Sequence, residues 1–292
     1  MNKEEVTYEP QKSIGVELLL ILNKFFKKPT HPFNLEDAGI KTFAEWEFES
    51  ADRVASYYSP EFDLFKEIQG KRVLDIGAGG GGKSVSYAVR GAKEVVGIDT
   101  VEEFIKQAKE FAKEKGVNNC EFVLENAEAT HFDADSFDIC IMNDVFEHLQ
   151  NPEKVLQEVH RVLKPGGKVF INSPPYFHPY GAHLSDLIGI PYVHLLFPEP
   201  VLINAYKILA LDTNSYEKRV NFRFGIVDGK EHITYINKMT IKRFEHILKN
   251  DNPFKVMLYK LIPLKKFLTF ATKTPLREVS VKTIVFVGEK IG

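Results

Sequence analysis

The run Val73-Leu74-Asp75-Ile76-Gly77-Ala78-Gly79-Gly80-Gly81-Gly82 constrains this chain more than any other stretch. An apolar strand ends in an acid and breaks into glycines, and a helical pattern follows from about Lys83 to Arg90. Glycine allows φ > 0 and lets backbone approach a ligand closely. The helix after it points free N–H groups and its positive dipole end at the same place. Such a turn holds a nucleotide-like cofactor at the carboxyl edge of a parallel sheet.

The pattern keeps alternating downstream. Lys71–Ile76, Glu94–Ile98, Cys120–Leu124, Phe137–Met142 and Lys168–Asn172 read as strands one to five. Lys83–Arg90, Val101–Lys115 and Pro152–Val162 read as helices. Gly91 and Gly116 close the first two, and Lys164-Pro165-Gly166-Gly167 stops the third. Strands alternating with helices argue for a doubly wound parallel sheet in an α/β domain. Residues 1–70 read as helical and irregular. Residues 173–235 carry prolines, aromatics and histidines without a clear period. Thr240–Leu248 returns to a helical pattern, and Val279–Val287 alternates like a last strand.

The bulk composition excludes several classes. At 292 residues, 44% hydrophobic and 27% charged, the chain suits one large α/β domain or two small ones. A formal net charge of −2 gives no global field toward nucleic acid or an anionic membrane. The local lysine groups, Lys24, Lys27 and Lys28 and then Lys260, Lys265 and Lys266, are short and read as solvated faces. Cys120 and Cys140 have neither metal nor CxxC spacing. Cys140 sits in an apolar run and reads as a buried, inert thiol. With no disulfide framework, a reducing cytoplasm is the expected location. The N-terminus is polar and acidic, unlike a signal peptide. Ile14 to Leu22 is too short to span a bilayer and reads as part of an amphipathic helix.

The glycines match GxGxxG as Gly77, Gly79 and Gly82, a spacing shared by nicotinamide, flavin and methyl-donor enzymes. Other landmarks narrow the choice. They are Asp75-x-Gly77-x-Gly79-x-Gly81, then Asp99 at the end of strand two and Glu125-Asn126-Ala127-Glu128 after strand three. Asn143-Asp144-Val145-Phe146-Glu147-His148-Leu149 follows strand four, and Leu163-Lys164-Pro165-Gly166-Gly167 precedes strand five. In this order they resemble the class I S-adenosylmethionine-dependent methyltransferases over about residues 53–173, and more loosely over the terminal helix and strand.

The resemblance implies a Rossmann-like, doubly wound seven-stranded sheet, mostly parallel with an antiparallel last strand. It implies an N-terminal helical extension at 1–60 and a methyltransferase domain at 61–292, with an insertion after strand five at about 174–237. It implies S-adenosylmethionine as cofactor, held by Asp75, Gly77, Ala78, Gly79, Gly81, Asp99, Thr100, Asn126, Ala127 and Asn143. Asp99 would accept from the ribose hydroxyls, and Asp75 would reach the ammonium directly or through water. Asn126 would meet the adenine edge, where the family often has an acid. Two plainer roles stay open: Asp99 as a helix N-terminal charge and Asn126 as a turn residue. Lys164–Gly167 is assigned no chemistry.

A sulfonium is already activated, so the protein mainly has to position it. A hydroxyl acceptor needs help from a base or a metal ion, an amine less. Asp144-x-x-Glu147-His148 resembles the Glu-x-x-Glu-His segment of metal-dependent O-methyltransferases, including the ubiquinone-pathway and small-RNA end-modifying enzymes. A metal there would need a further histidine, for which His178, His183 and His194 are candidates; the same Glu-His pair also occurs in relatives that bind no metal, and no metal is assigned. His148 is the candidate general base, against a plain packing role. Glu147, His178 and His183 complete the catalytic candidates, with Tyr176 beside them at the end of strand five and His194 further on. Leu184–Leu211 reads as a lid, a dimer surface or an apolar acceptor pocket. Trp46, Arg53 and Tyr57 are expected to close over the cofactor from the other side.

The expected function is S-adenosylmethionine-dependent methyl transfer to a small-molecule acceptor, with oxygen preferred as the accepting atom. Nitrogen or carbon acceptors, a nicotinamide-dependent oxidoreductase and a non-catalytic cofactor-binding protein remain alternatives. No nucleic acid and no membrane span are expected as partners, and a homodimer is left open. Ser173-Pro174-Pro175-Tyr176 looks like a nucleic-acid amino-methylating signature, but it follows strand five where that signature follows strand four.

Overall fold

A computed structural model describes residues 9–292. The first eight residues of the expected 1–60 extension lie outside the described residues. Three helices come first: α1 (Ile14–Asn23), α2 (Pro32–Asp37) and α3 (Phe43–Ala55). Ser13, His31 and Thr42 cap them by accepting from a first-turn N–H, and Glu45 returns the bond to Thr42 in a capping box. A short α4 (Leu64–Glu67) leads into the sheet.

The alternation read from the sequence then appears as β1 (Arg72–Ile76), α5 (Gly82–Val89), β2 (Glu94–Asp99), α6 (Glu102–Glu114) and β3 (Cys120–Leu124). It continues as β4 (Phe137–Asn143), α7 (Pro152–Val162) and β5 (Leu163–Ser173). The stretch without a clear period contains α8 (Val193–Leu196), α9 (Glu199–Ala210), α10 (Tyr216–Arg223) and a hairpin of β6 (Phe224–Val227) and β7 (Lys230–Ile233). After it come α11 (Ile241–Asn250), β8 (Lys255–Pro263), a 3-10 stretch at Lys266–Lys273, α12 (Arg277–Ser280) and β9 (Val281–Glu289).

Seven strands form one sheet in the order β3-β2-β1-β4-β5-β9-β8. β1 to β5 pair in parallel, and β9 runs antiparallel to both β5 and β8. The strand order reverses between β1 and β4, so the crevice at their carboxyl ends is the place for a ligand. Side chains alternate across the sheet with period two. Leu74, Val96 and Met142 face α7 and α11, while Val73, Val95, Ile141 and Phe170 face Tyr57, Tyr58 and Ile68. Both faces are covered, as a parallel sheet requires.

Three details differ from the sequence reading. β8 is an edge strand whose residues are half-buried or exposed, so it lacks the clean apolar alternation that marks a strand. The Lys164–Gly167 stop lies inside the β5 ladder, which begins at Leu163 opposite Phe137 and bends through Gly166 at φ +77°. Val279 and Ser280 belong to α12, and the last strand begins at Val281.

The N-terminal helices and the segment after β5 share a second core. Val16 and Leu19 of α1 pack with Leu187, Ile188, Leu202 and Tyr206. A buried polar knot ties the same two regions. Asp186 accepts from the Tyr206 hydroxyl at 2.6 Å, pairs with Arg219, and meets Arg223 at 3.0 Å. Arg219 reaches on to Asp37 at 2.7 Å and Asn34 at 3.0 Å in α2. Among the described residues no helix is long and apolar enough to cross a membrane.

Candidate active site

The glycine turn leaves β1 at the carboxyl edge. Gly77, Gly79 and Gly81 all have positive φ, of 70°, 55° and 82°, which favours glycine at each. The N–H groups of Gly77 and Ala78 donate to the Ile98 carbonyl at 2.8 and 2.9 Å, stitching the turn to β2. Asp99 ends β2 and accepts from Gly79 N–H and Val101 N–H, each at 3.0 Å. It therefore braces the turn and the start of α6, while its oxygens retain lone pairs for a ribose. Asp75 is buried, accepts from the Ser84 hydroxyl at 2.6 Å, and is pushed up to about 6 by burial.

Not every glycine here serves a ligand. A Cβ on Gly82 would lie 2.0 Å from the Ala44 carbonyl, and one on Gly81 2.6 Å from Ala108 Cβ. Gly82 admits helix α3, and Gly81 admits α6. A Cβ on Gly77 would likewise lie 2.1 Å from Val145 Cγ2, so the first glycine also admits the segment after β4. At Gly79 the nearest atom to an added Cβ is the Glu47 carboxylate, at 2.8 Å.

The sequence reading missed Glu47. Of Trp46, Arg53 and Tyr57, Trp46 stacks on Phe43 with ring centroids 6.4 Å apart, and the other two continue from it. Arg53 donates to the Tyr57 hydroxyl at 3.0 Å and lies over the Trp46 ring. The residues of α3 that meet the glycines are Phe43, Ala44, Glu47 and Phe48. Glu47 is buried and accepts from Gly82 N–H at 3.3 Å. Burial pushes its carboxyl up to about 8, with Lys83 opposing the shift. Lys83 Nζ lies 3.8 Å from Glu47 and donates to the Asn143 carbonyl at 3.3 Å. Burial acts to lower Lys83, but Glu47, Asp144 and Asp75 hold it above its ordinary value. Glu47 and Asp75 both act on this lysine and Asp99 acts on both of them, a charge grouping that suits a cationic ligand with an amino-acid end. No sequence spacing links position 47 to the turn; only the docking of α3 does.

The remaining cofactor candidates divide. Ala127 is buried in the main core, and Thr100 is exposed just beyond Asp99. Asn126 is exposed, and its side-chain oxygen accepts from Glu128 N–H at 2.9 Å, an Asx turn that leaves its amide N–H groups for an adenine edge. The Asn143 side chain is spent inside the protein: it accepts from the Tyr58 hydroxyl at 2.9 Å and donates to the Tyr87 hydroxyl at 2.7 Å. Only its backbone carbonyl, beside Lys83, faces the site.

The catalytic candidates also divide. Glu147, His148 and His183 each offer a ligand atom, and these atoms all lie within 4.8 Å of one another. Glu147 Oε2 accepts from the Ser173 hydroxyl at 2.9 Å, and Oε1 is buried with no hydrogen-bond partner. Burial, reinforced by Asp144, pushes the Glu147 carboxyl well up. His148 Nδ1–H donates to the Tyr235 carbonyl at 2.7 Å, which fixes the tautomer and leaves the Nε2 lone pair open. Nε2 is 3.7 Å from Glu147 Oε1. Burial lowers His148 to about 4 and lowers His183 well below its usual range, so both rings are neutral near pH 7. Asp144 does not join them; it is exposed at φ +56° and accepts from Asn172 Nδ2 at 2.6 Å. The Asp144-Glu147-His148 grouping is therefore replaced by Glu147-His148-His183. His178 stands apart, with Nδ1 accepting from Tyr180 N–H at 3.2 Å. His194 packs on Tyr176, with ring centroids 4.8 Å apart.

A run of aromatic rings joins the two halves of the site. From His148 it passes to Tyr235 at 4.0 Å, to Phe222 at 4.2 Å, to Phe104 at 5.8 Å and to Phe43 at 5.4 Å, beside Gly79. These rings come from α3, α6, α10 and the segment after β7. None carries a motif, and none was singled out from the sequence.

Comparison with known proteins bears on the family and the fold. A family profile described as a methyltransferase domain matches residues 74–171. A ubiquinone biosynthesis O-methyltransferase of Paracidovorax citrulli is 31% identical over 175 residues, which is 56% of this chain and 72% of that protein. One of the same name from Coxiella burnetii is 33% identical over 132 residues, 45% of this chain and 55% of that protein. The chain thus spans little more than half the length of that second relative. A crystal structure of an S-adenosylmethionine-dependent methyltransferase from Aquifex aeolicus shares the fold at a TM-score of 0.50 and 15% identity, covering 90% of this chain and 100% of that one.

Proposed function

The chain belongs to the class I S-adenosylmethionine-dependent methyltransferases, and from that premise we propose that it methylates a hydroxyl of a small aromatic molecule. S-adenosylmethionine supplies an electrophilic methyl group; everything else falls to the chain. Glu47 and Asp75 balance the donor's positive charge, and Lys83 receives its carboxylate. Asp99 takes the ribose, and Asn126 the adenine edge. The observation that carries the reading is the tautomer of His148. Its Nδ1–H is committed to the Tyr235 carbonyl, so Nε2 is a fixed proton acceptor beside the orphaned Glu147 Oε1. A ring held near 4 is a weak base, so the hydroxyl it serves should be an acidic one, as in a phenol. The aromatic run from His148 to Phe43 offers faces for a planar acceptor.

The test follows a tritiated methyl group from S-adenosylmethionine into a panel of phenols and matched aliphatic alcohols. Label in phenol ethers is expected, and His148→Ala should lower turnover roughly 100- to 10,000-fold with S-adenosylhomocysteine binding intact. Near-normal turnover in that variant, or label on nitrogen or carbon alone, overturns the reading. Tight binding of NAD in place of S-adenosylhomocysteine would favour an oxidoreductase.

The grouping of Glu147, His148 and His183 supports a second reading. The three would hold a divalent cation, which would lower the pKa of an acceptor hydroxyl. Chelation separates the two: it abolishes transfer under the second reading and leaves it unchanged under the first. For partners and location, the reading is a small molecule rather than nucleic acid, in the reducing cytoplasm that suits two free cysteines.

A further inference from the structure

The lysine groups that read as solvated faces gain a context from the fold. In α1 only Glu17 and Asn23 are polar, and the helix is apolar on two sides. Val16 and Leu19 are buried in the second core. Ile14, Leu18 and Ile21, with Phe25 one turn on, form a separate stripe at i, i+4, i+7 and i+11. That stripe is bare, with Ile14 87% and Phe25 80% exposed. A helix apolar on both sides is ordinarily covered on both.

Two neighbouring segments repeat the pattern. α8 exposes Leu195 and Leu196, and the Lys266–Lys273 stretch exposes Phe267 at 75% and Phe270 at 65%. Hydrogen bonds tie their flanking residues together. Asn23, at the end of α1, donates to the Leu187 carbonyl and accepts from Gly189 N–H. The Tyr192 hydroxyl, just before α8, donates to the Val279 carbonyl of α12, which packs on the 266–273 stretch. Lysines flank the apolar groups: Lys24, Lys27 and Lys28 after α1, and Lys265, Lys266 and Lys273 around the two phenylalanines. All six are exposed, and among the described residues none pairs with an acid.

We propose that α1, α8 and the 266–273 stretch form one docking face for the surface of a bilayer carrying anionic lipids. The apolar groups enter the boundary between headgroups and acyl chains, and the lysines meet the lipid charge. A second copy of the chain fits less well, since a two-fold contact through this face sets one lysine group against its like. The protein would lie on the membrane, because no described helix can cross it.

The test is flotation of the full chain with vesicles of phosphatidylcholine alone and of an equal mixture with phosphatidylglycerol. Binding is expected to the mixture and not to phosphatidylcholine alone, and to weaken in high salt. Phe25→Asp and Phe267→Asp should each weaken it about tenfold. Lys27→Glu with Lys28→Glu should do the same while S-adenosylhomocysteine binding is unchanged; both being exposed, this pair carries the test if an aspartate variant misfolds. Failure of the wild-type chain to bind either vesicle overturns the proposal. So does unchanged binding in the charge-reversed variant, or a stable dimer in solution that Phe25→Asp splits.

Discussion

The sheet from β1 to β5 and the cap over it, formed by α1 to α3 with the segment after β5, are held in different ways. In the sheet, parallel ladders join strands that follow one another closely, and the side chains between the layers are apolar. In the cap, few ladders exist, and polar bonds reach across the sequence. Asn34 donates to the Asp186 carbonyl at 2.7 Å across 152 residues, and Arg219 bonds Asn34 and Asp37 across more than that. The sheet tolerates the loss of one contact because its neighbours repeat it. The cap has a shared apolar core and one buried knot of charges that ties its two regions together.

Breaking the knot should give the largest effect. Asp186→Ala leaves Arg223 in the interior without its carboxylate and Arg219 with Asp37 alone, and should cost about 3–5 kcal/mol in chemical denaturation. A loss below about 1 kcal/mol would mean that apolar packing alone holds the cap. Next comes the seam between cap and sheet. Gly82→Ala drives a Cβ to 2.0 Å from the Ala44 carbonyl and should cost roughly 1–3 kcal/mol by displacing α3. Gly79→Ala sharpens the contrast. It incurs about 1–2 kcal/mol of left-handed strain, and its nearest neighbour is the Glu47 carboxylate rather than backbone. Its main loss should therefore appear in S-adenosylhomocysteine titration rather than in the melt.

The smallest effect concerns pH. Burial raises Glu47 to about 8, so it is neutral below that value and charged above it. A cationic donor favours the charged form, so S-adenosylmethionine should bind more tightly as pH rises from about 6 to 8. Glu47→Gln should flatten that slope. If calorimetry finds the same slope in the variant, Asp75, raised to about 6, becomes the group that titrates.

The legibility of the site follows the same division. Asp75, Gly77, Gly79 and Asp99 were readable because a strand, a turn and a helix only a few residues apart build that corner. Glu147 and His148 were readable for a like reason, at the end of β4. Which of His178, His183 and His194 joins them was not. The chain after β5 folds back over the edge and brings His183 there, and a one-residue kink at Asp144 turns its carboxylate to Asn172. Asn143 looked available, yet two tyrosines from distant segments consume its amide.

By itself, the sequence determined the α/β alternation, the glycine turn and the kind of cofactor that turn receives. Each depends on local periodicity and on backbone conformations that few residues adopt. Tertiary structure alone decided that Glu47 stands at the turn beside Lys83, and that His183, of the candidate histidines, joins Glu147 and His148. It also decided that an aromatic run connects them and that an apolar stripe on α1 stays bare. Those pairings bring together residues tens to more than a hundred positions apart. Such contacts leave no spacing to read, because loop closure permits many partners and only packing selects one.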